Sequence, residues 1–104
     1  GIQMMPIGEI MRISIDTKNW SRALSCLLVS GYAYYIEDKA VMPDELFDEA
    51  CKALKAHWKS FDHPHKRLMK PADLSAGTLY HLKATDYPAI VRLSATMYIE
   101  DFNL

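Results

Sequence analysis

A proline followed by two acids, Pro43-Asp44-Glu45, separates two runs of apolar residues at helical spacing, and that arrangement leaves few folds open to this chain. Upstream, Trp20, Leu24, Leu27, Leu28, Gly31 and Tyr35 recur at steps of three and four. They form one face of an amphipathic helix of about five turns, ending near Glu37 or Asp38. Downstream, Phe47, Ala50, Cys51, Leu54, Trp58 and Phe61 form a second stripe, with Lys52, Lys55 and Lys59 off it and solvated. Pro43 suits the first turn of the second helix, where its missing N–H is harmless. Asp44 and Glu45 complement the dipole there. Only residues 39–42 lie between as a loop, and so short a connection predicts an antiparallel αα-hairpin over residues 17–61.

Asp16 or Thr17 is the candidate N-cap of the first helix. Gly31 inside that helix costs about 1 kcal/mol relative to alanine, which points to close packing against a neighbour or a ligand. His63-Pro64 ends the second helix, because the residue before proline leaves the α region. Residues 66–71 read as a basic loop, and 72–75 as a short helix weakened by Gly77 and Thr78. From Pro88, the positions Ile90, Val91, Leu93, Ala95, Met97, Tyr98 and Phe102 predict a final helix. Near the start, Pro6 and Gly8 interrupt an apolar cluster, and Arg12-Ile13-Ser14-Ile15 alternates weakly. The expectation is a mainly α single domain over residues 1–104: the hairpin, one or two C-terminal helices packed on it, and a short N-terminal arm.

The chain has 104 residues and is 50% hydrophobic, enough for one domain with its own core. Twelve Lys and Arg against 13 Asp and Glu give a net charge of −1, which argues against a broad nucleic-acid surface. No apolar run reaches the 18 residues of a membrane span. The start lacks the basic and apolar regions of a signal peptide, Gly1 is compatible with a tag remnant, and the expected location is cytoplasmic. Cys26 and Cys51 sit on helical apolar patterns and read as buried free thiols.

The informative stretch is residues 32–48. Tyr34 and Asp38 are four apart at the end of the first helix, as are Asp44 and Asp48 at the start of the second, with Phe47 one step round. The loop brings the two helix ends into a mouth of aromatics and carboxylates beside a helix N-terminus. Such a mouth suits a flat, cationic, hydrogen-bonding ligand. Aromatic faces attract a cationic ring, carboxylates accept from amides and ribose hydroxyls, and free first-turn amides hold phosphate. An ordinary structural account stands beside it: half-buried tyrosines and first-turn acids.

The pattern Tyr-x-Tyr-(His/Tyr)-x-x-Asp-x-x-x-x-x-Asp-x-x-(Tyr/Phe)-Asp is filled without a gap by Tyr32, Tyr34, Tyr35, Asp38, Asp44, Phe47 and Asp48. It resembles the small N-terminal helical domain of NAD-dependent DNA ligases, which caps the nicotinamide mononucleotide (NMN) half of NAD during self-adenylation. The likeness covers residues 18–60. It implies that Tyr34 and Tyr35 contact the nicotinamide and its phosphate side, and that Asp44 and Asp48 bind amide or ribose groups. Phe47 stands where the family usually has a stacking tyrosine, and Ala40 where it usually has a proline. Small stand-alone proteins resembling this domain occur in bacteriophages, and the chain looks like one of those.

A ligase also needs a Lys-x-Asp-Gly nucleophile. Lys70-Pro71-Ala72-Asp73 and Lys83-Ala84-Thr85-Asp86 both fail that pattern, so no adenylate can form by that route. His63 and His65, with Asp62 and His57, are a weak metal signal; the basic run 63–70 is a weak phosphate or nucleic-acid signal. Ser75-Ala76-Gly77-Thr78 lacks a Walker lysine and reads as a turn. No spacing pairs a nucleophile with a base. The leading expectation is a non-catalytic module that recognises NAD or NMN. The rival is a phage-encoded protein-interaction protein that modulates a host enzyme and binds no nucleotide.

Overall fold

The computed structural model describes residues 4–104; the reading of Gly1 falls outside them. Among the described residues there are five α-helices and no strand: α1 (Ile7–Asp16), α2 (Trp20–Tyr35), α3 (Asp44–Ala56), α4 (Pro71–Ala76) and α5 (Ala89–Asp101). Short 3-10 turns occur at Trp58–Ser60, Lys66–Leu68 and Ala84–Asp86. The fold is mainly α, as the periodicity requires.

The central element is α2, which packs against α1, α3 and α5, while α3 also meets α1 and α4. Burial therefore runs unbroken from Cys26 to Ala33, where a helix covered on one side would expose part of each turn. The two helices of the expected hairpin, α2 and α3, are antiparallel. Trp20, which opens α2, stacks on His57, just past α3, with ring centroids 4.3 Å apart and planes at 11°. Leu24, Leu27 and Leu28 of α2 and Leu54 of α3 are fully buried, each contributing about 1.5–3 kcal/mol.

The expected N-terminal arm is instead helix α1. Pro6 and Gly8 interrupt the apolar pattern only where a helix tolerates them. The Pro6 carbonyl accepts from the Glu9 and Ile10 amides at 3.0 and 3.2 Å, and Gly8 lies over Leu46 and Met42. Ile7 and Met11 face the core, and the buried Ser14 hydroxyl donates to the Ile10 carbonyl and accepts from Arg22 Nε. Because α1 runs on to Asp16, neither Asp16 nor Thr17 caps α2. Asn19 does, its side chain accepting from the Arg22 amide at 3.1 Å.

Both hairpin helices stop earlier than their stripes suggest. The last residue of α2 is Tyr35; Asp38 takes a left-handed conformation, φ 56°, which short polar side chains tolerate. The chain then turns back so that the Lys39 amide donates to the Ala33 carbonyl at 2.8 Å. Likewise α3 ends at Ala56, and Trp58 and Phe61 pack from the turn that follows. Lys66 Nζ holds that turn, donating to the carbonyls of Trp58 and Phe61 and lying 4.8 and 4.5 Å from the centres of their rings.

The glycine inside α2 is explained by packing. A β-carbon on Gly31 would stand 2.2 Å from Leu79 Cδ1 and 3.4 Å from the Tyr87 hydroxyl. Gly77, at φ 67°, ends α4 and returns the chain toward α3.

Candidate functional site

A cavity of about 210 Å³ opens where four segments meet. The last turns of α2 supply Ser30, Tyr34 and Tyr35. The connection supplies Ala40, Val41 and Met42. The first turns of α3 supply Asp44, Phe47 and Asp48. The segment after α4 supplies Gly77 and Tyr80. Sites that enclose a whole small ligand span about 300–1,000 Å³, so this cavity suits a single ring with its immediate substituent.

Its walls are aromatic and acidic. Tyr34 and Tyr35 meet edge to face at 5.0 Å, and Tyr35 meets Tyr80 at 4.8 Å. Burial, then the neighbouring Tyr80 hydroxyl, holds the Tyr35 phenol above its ordinary pKa, so it stays neutral and able to donate at neutral pH. Asp44 and Asp48 are exposed and add two carboxylates, and the lining contains no Lys, Arg or His. Asp48 also faces Gly77: a β-carbon there would come within 3.5 Å of Asp48 Oδ1. Carboxylates that accept and aromatic rings that attract a cation together fit a cationic ring bearing amide and hydroxyl groups. It offers a phosphate only the free Asp44 and Glu45 amides of α3, flanked by those residues' own carboxylates.

Of the seven residues singled out in the sequence, Tyr34, Tyr35, Asp44, Phe47 and Asp48 line this cavity, and Tyr32 and Asp38 do not. Tyr32 points into the core, edge to face with Tyr87 at 5.1 Å, and its hydroxyl donates to Glu37 at 3.1 Å. Burial and that carboxylate raise its pKa. Asp38 does not share a helical face with Tyr34, because the helix has ended before it. Tyr80 was missed; nothing local marks it, and only its packing on Tyr35 brings it to the mouth.

A serine and a histidine do meet, although no sequence spacing pairs them. Ser25 Oγ and His63 Nε2 are 2.7 Å apart. The His65 amide donates to His63 Nδ1 at 3.0 Å, which leaves the ring proton on Nε2, donating to Ser25. That tautomer cannot take the serine proton, so the pair ties residues 63–65 to α2 and is not a nucleophile–base dyad. Burial, then the nearby His65, lowers the His63 pKa.

Lys66, in the basic run 63–70, is committed to carbonyls and rings. No group of three or more metal-ligating side chains converges among the described residues. Cys26 and Cys51 are buried free thiols. No helix among the described residues is long and apolar enough to cross a membrane. Compared with protein-family models, with curated proteins and with solved structures, the chain matches none.

Proposed function

We propose that this chain is a non-catalytic module that binds a nicotinamide nucleotide, NMN or the NMN half of NAD, ring first at the α2–α3 mouth. The observation that carries the reading is the convergence of Tyr34, Tyr35, Asp44, Phe47 and Asp48 on one cavity. The tyrosine faces attract the pyridinium charge, and the carboxylates accept from the carboxamide and the ribose hydroxyls. Phe47 supplies an apolar ring without a hydroxyl. The chain carries no Lys-x-Asp-Gly nucleophile, so the module binds and does not ligate.

A thermal-shift titration with NMN tests it. Ligand at a hundred times its dissociation constant stabilises a fold by about 2.7 kcal/mol, which a domain of this size shows as a rise on the order of 10 °C or more. An unchanged midpoint at millimolar NMN would sink the proposal.

One observation favours a second reading, a protein-interaction surface. On α5, Ile90, Leu93 and Met97 are 63, 62 and 55% exposed and spaced to lie along one face. Apolar side chains grouped in this way on a surface mark contact sites. Substituting Leu93→Glu and Met97→Glu leaves NMN binding intact on the first reading; on the second, no NMN binds to the parent chain or to the variant. The substitution abolishes partner capture only if α5 carries the function.

A further inference from the structure

We infer that Tyr80 is a ligand-contacting residue of the α2–α3 mouth, and that this mouth reads the cationic ring of its ligand and not the phosphate; the inference rests on the nicotinamide reading above. Tyr80 lies on the segment between α4 and α5, outside the 32–48 stretch. Its ring leans on Tyr35 at 4.8 Å and is otherwise 77% exposed. An aromatic side chain so free of its own fold, at the rim of a cavity, is available to cover what enters. Gly77 and Leu79 fix it there. Gly77 turns the chain beside Asp48, and the fully buried Leu79 is clamped over Gly31. Tyr80 is thus an exposed ring on an anchored backbone.

With Tyr80 included, the mouth has three tyrosine rings in sequence and two carboxylates. Each ring presents a face of negative potential, and each carboxylate adds a full negative charge. No basic side chain lines the cavity. Every electrostatic feature therefore favours a planar cation, and none except two first-turn amides favours a phosphate, which Asp44, Glu45 and Asp48 repel. The ligand class is an N-alkylpyridinium, with the phosphate left in solvent.

The test is isothermal calorimetry on the intact chain and on Tyr80→Ala and Tyr80→Phe, with circular dichroism to confirm folding. The probes are NMN, nicotinamide riboside, neutral nicotinamide and N-methylpyridinium. The riboside is expected to bind within about threefold of NMN, and nicotinamide at least tenfold more weakly, about 1.4 kcal/mol. Tyr80→Ala is expected to weaken every cationic probe about tenfold, and Tyr80→Phe to leave them unchanged. Riboside binding tenfold weaker than NMN would overturn the phosphate-indifferent mouth. Equal affinities for Tyr80→Ala and the parent chain would overturn the role of Tyr80. If N-methylpyridinium binds and NMN does not, the nucleotide reading falls and the cation mouth stands. If no probe binds, both fall.

Discussion

Leu79 lies over the backbone of Gly31 so closely that a β-carbon on Gly31 would stand 2.2 Å from its Cδ1. The contact joins the middle of α2 to the segment that carries Tyr80, and so couples the core to the rim of the cavity. Helix propensity alone favours Gly31→Ala by about 1 kcal/mol. Overpacking a filled core costs about 1–3 kcal/mol, and here Leu79 stands in the way, its Cδ1 at 2.2 Å and its Cγ at 3.3 Å from the added carbon. Gly31→Ala is therefore expected to destabilise the chain by up to about 2 kcal/mol in urea unfolding. A more stable Gly31→Ala variant would show that Leu79 yields freely.

The Tyr87 hydroxyl is buried and has no hydrogen-bond partner among the described residues. Burial, then the Tyr35 hydroxyl, pushes its pKa well up, so the phenol stays neutral. An unsatisfied buried polar group costs about 1–3 kcal/mol. Tyr87→Phe removes that group and keeps the ring against Tyr32. It is expected to leave stability unchanged or raise it by up to about 1 kcal/mol, read as a higher melting midpoint. A clear loss would mean that the hydroxyl has a partner such as a bound water.

His63 sets a pH dependence. Its folded-state pKa lies below the ordinary 6.5, so the unfolded chain takes up the proton first as pH falls. Stability is then fully present above pH 6.5 and is lost as pH drops from 6.5 toward the lowered folded value. Protonation also sets Nδ1–H against the His65 amide that donates to it. Urea midpoints are expected to fall from pH 7.5 to pH 5.5, and the slope to flatten in His63→Gln. An identical slope in that variant would assign the effect to another group.

Burial pushes the Cys26 thiol up to about 11 and the Cys51 thiol to about 12. Since the thiolate is the reactive form, neither is expected to react with a disulfide reagent at pH 8 until the chain unfolds. Labelling rates should rise with urea along the unfolding transition. Rapid labelling of the native chain would contradict the burial of both sites.

The hairpin was legible because Trp20, Leu24, Leu27, Leu28 and Leu54 obey the helical period and Pro43 marks the second start. Helix α1 was not, because Pro6 and Gly8 look like breakers when read without knowing that they fall at a helix start. The inward turn of Tyr32 follows from the covering of α2 on several sides, which a stripe reading cannot anticipate. Five of the seven motif positions share a cavity because they sit at two helix ends joined by a short connection. Tyr80 and the Ser25–His63 pair come together only through long-range packing, 38 residues apart in the second case, and no local spacing encodes them.

The most direct measurement is a calorimetric titration of NMN into the intact chain and into Asp48→Asn. Asp48 is exposed at the cavity, so the substitution should leave the melting midpoint in place. The expected result is saturable one-to-one binding to the parent chain. Loss of a charged hydrogen bond worth about 1.5–3 kcal/mol should weaken it at least tenfold in the variant. No heat of binding at millimolar NMN, with the parent chain folded, would contradict a nicotinamide site at the α2–α3 mouth.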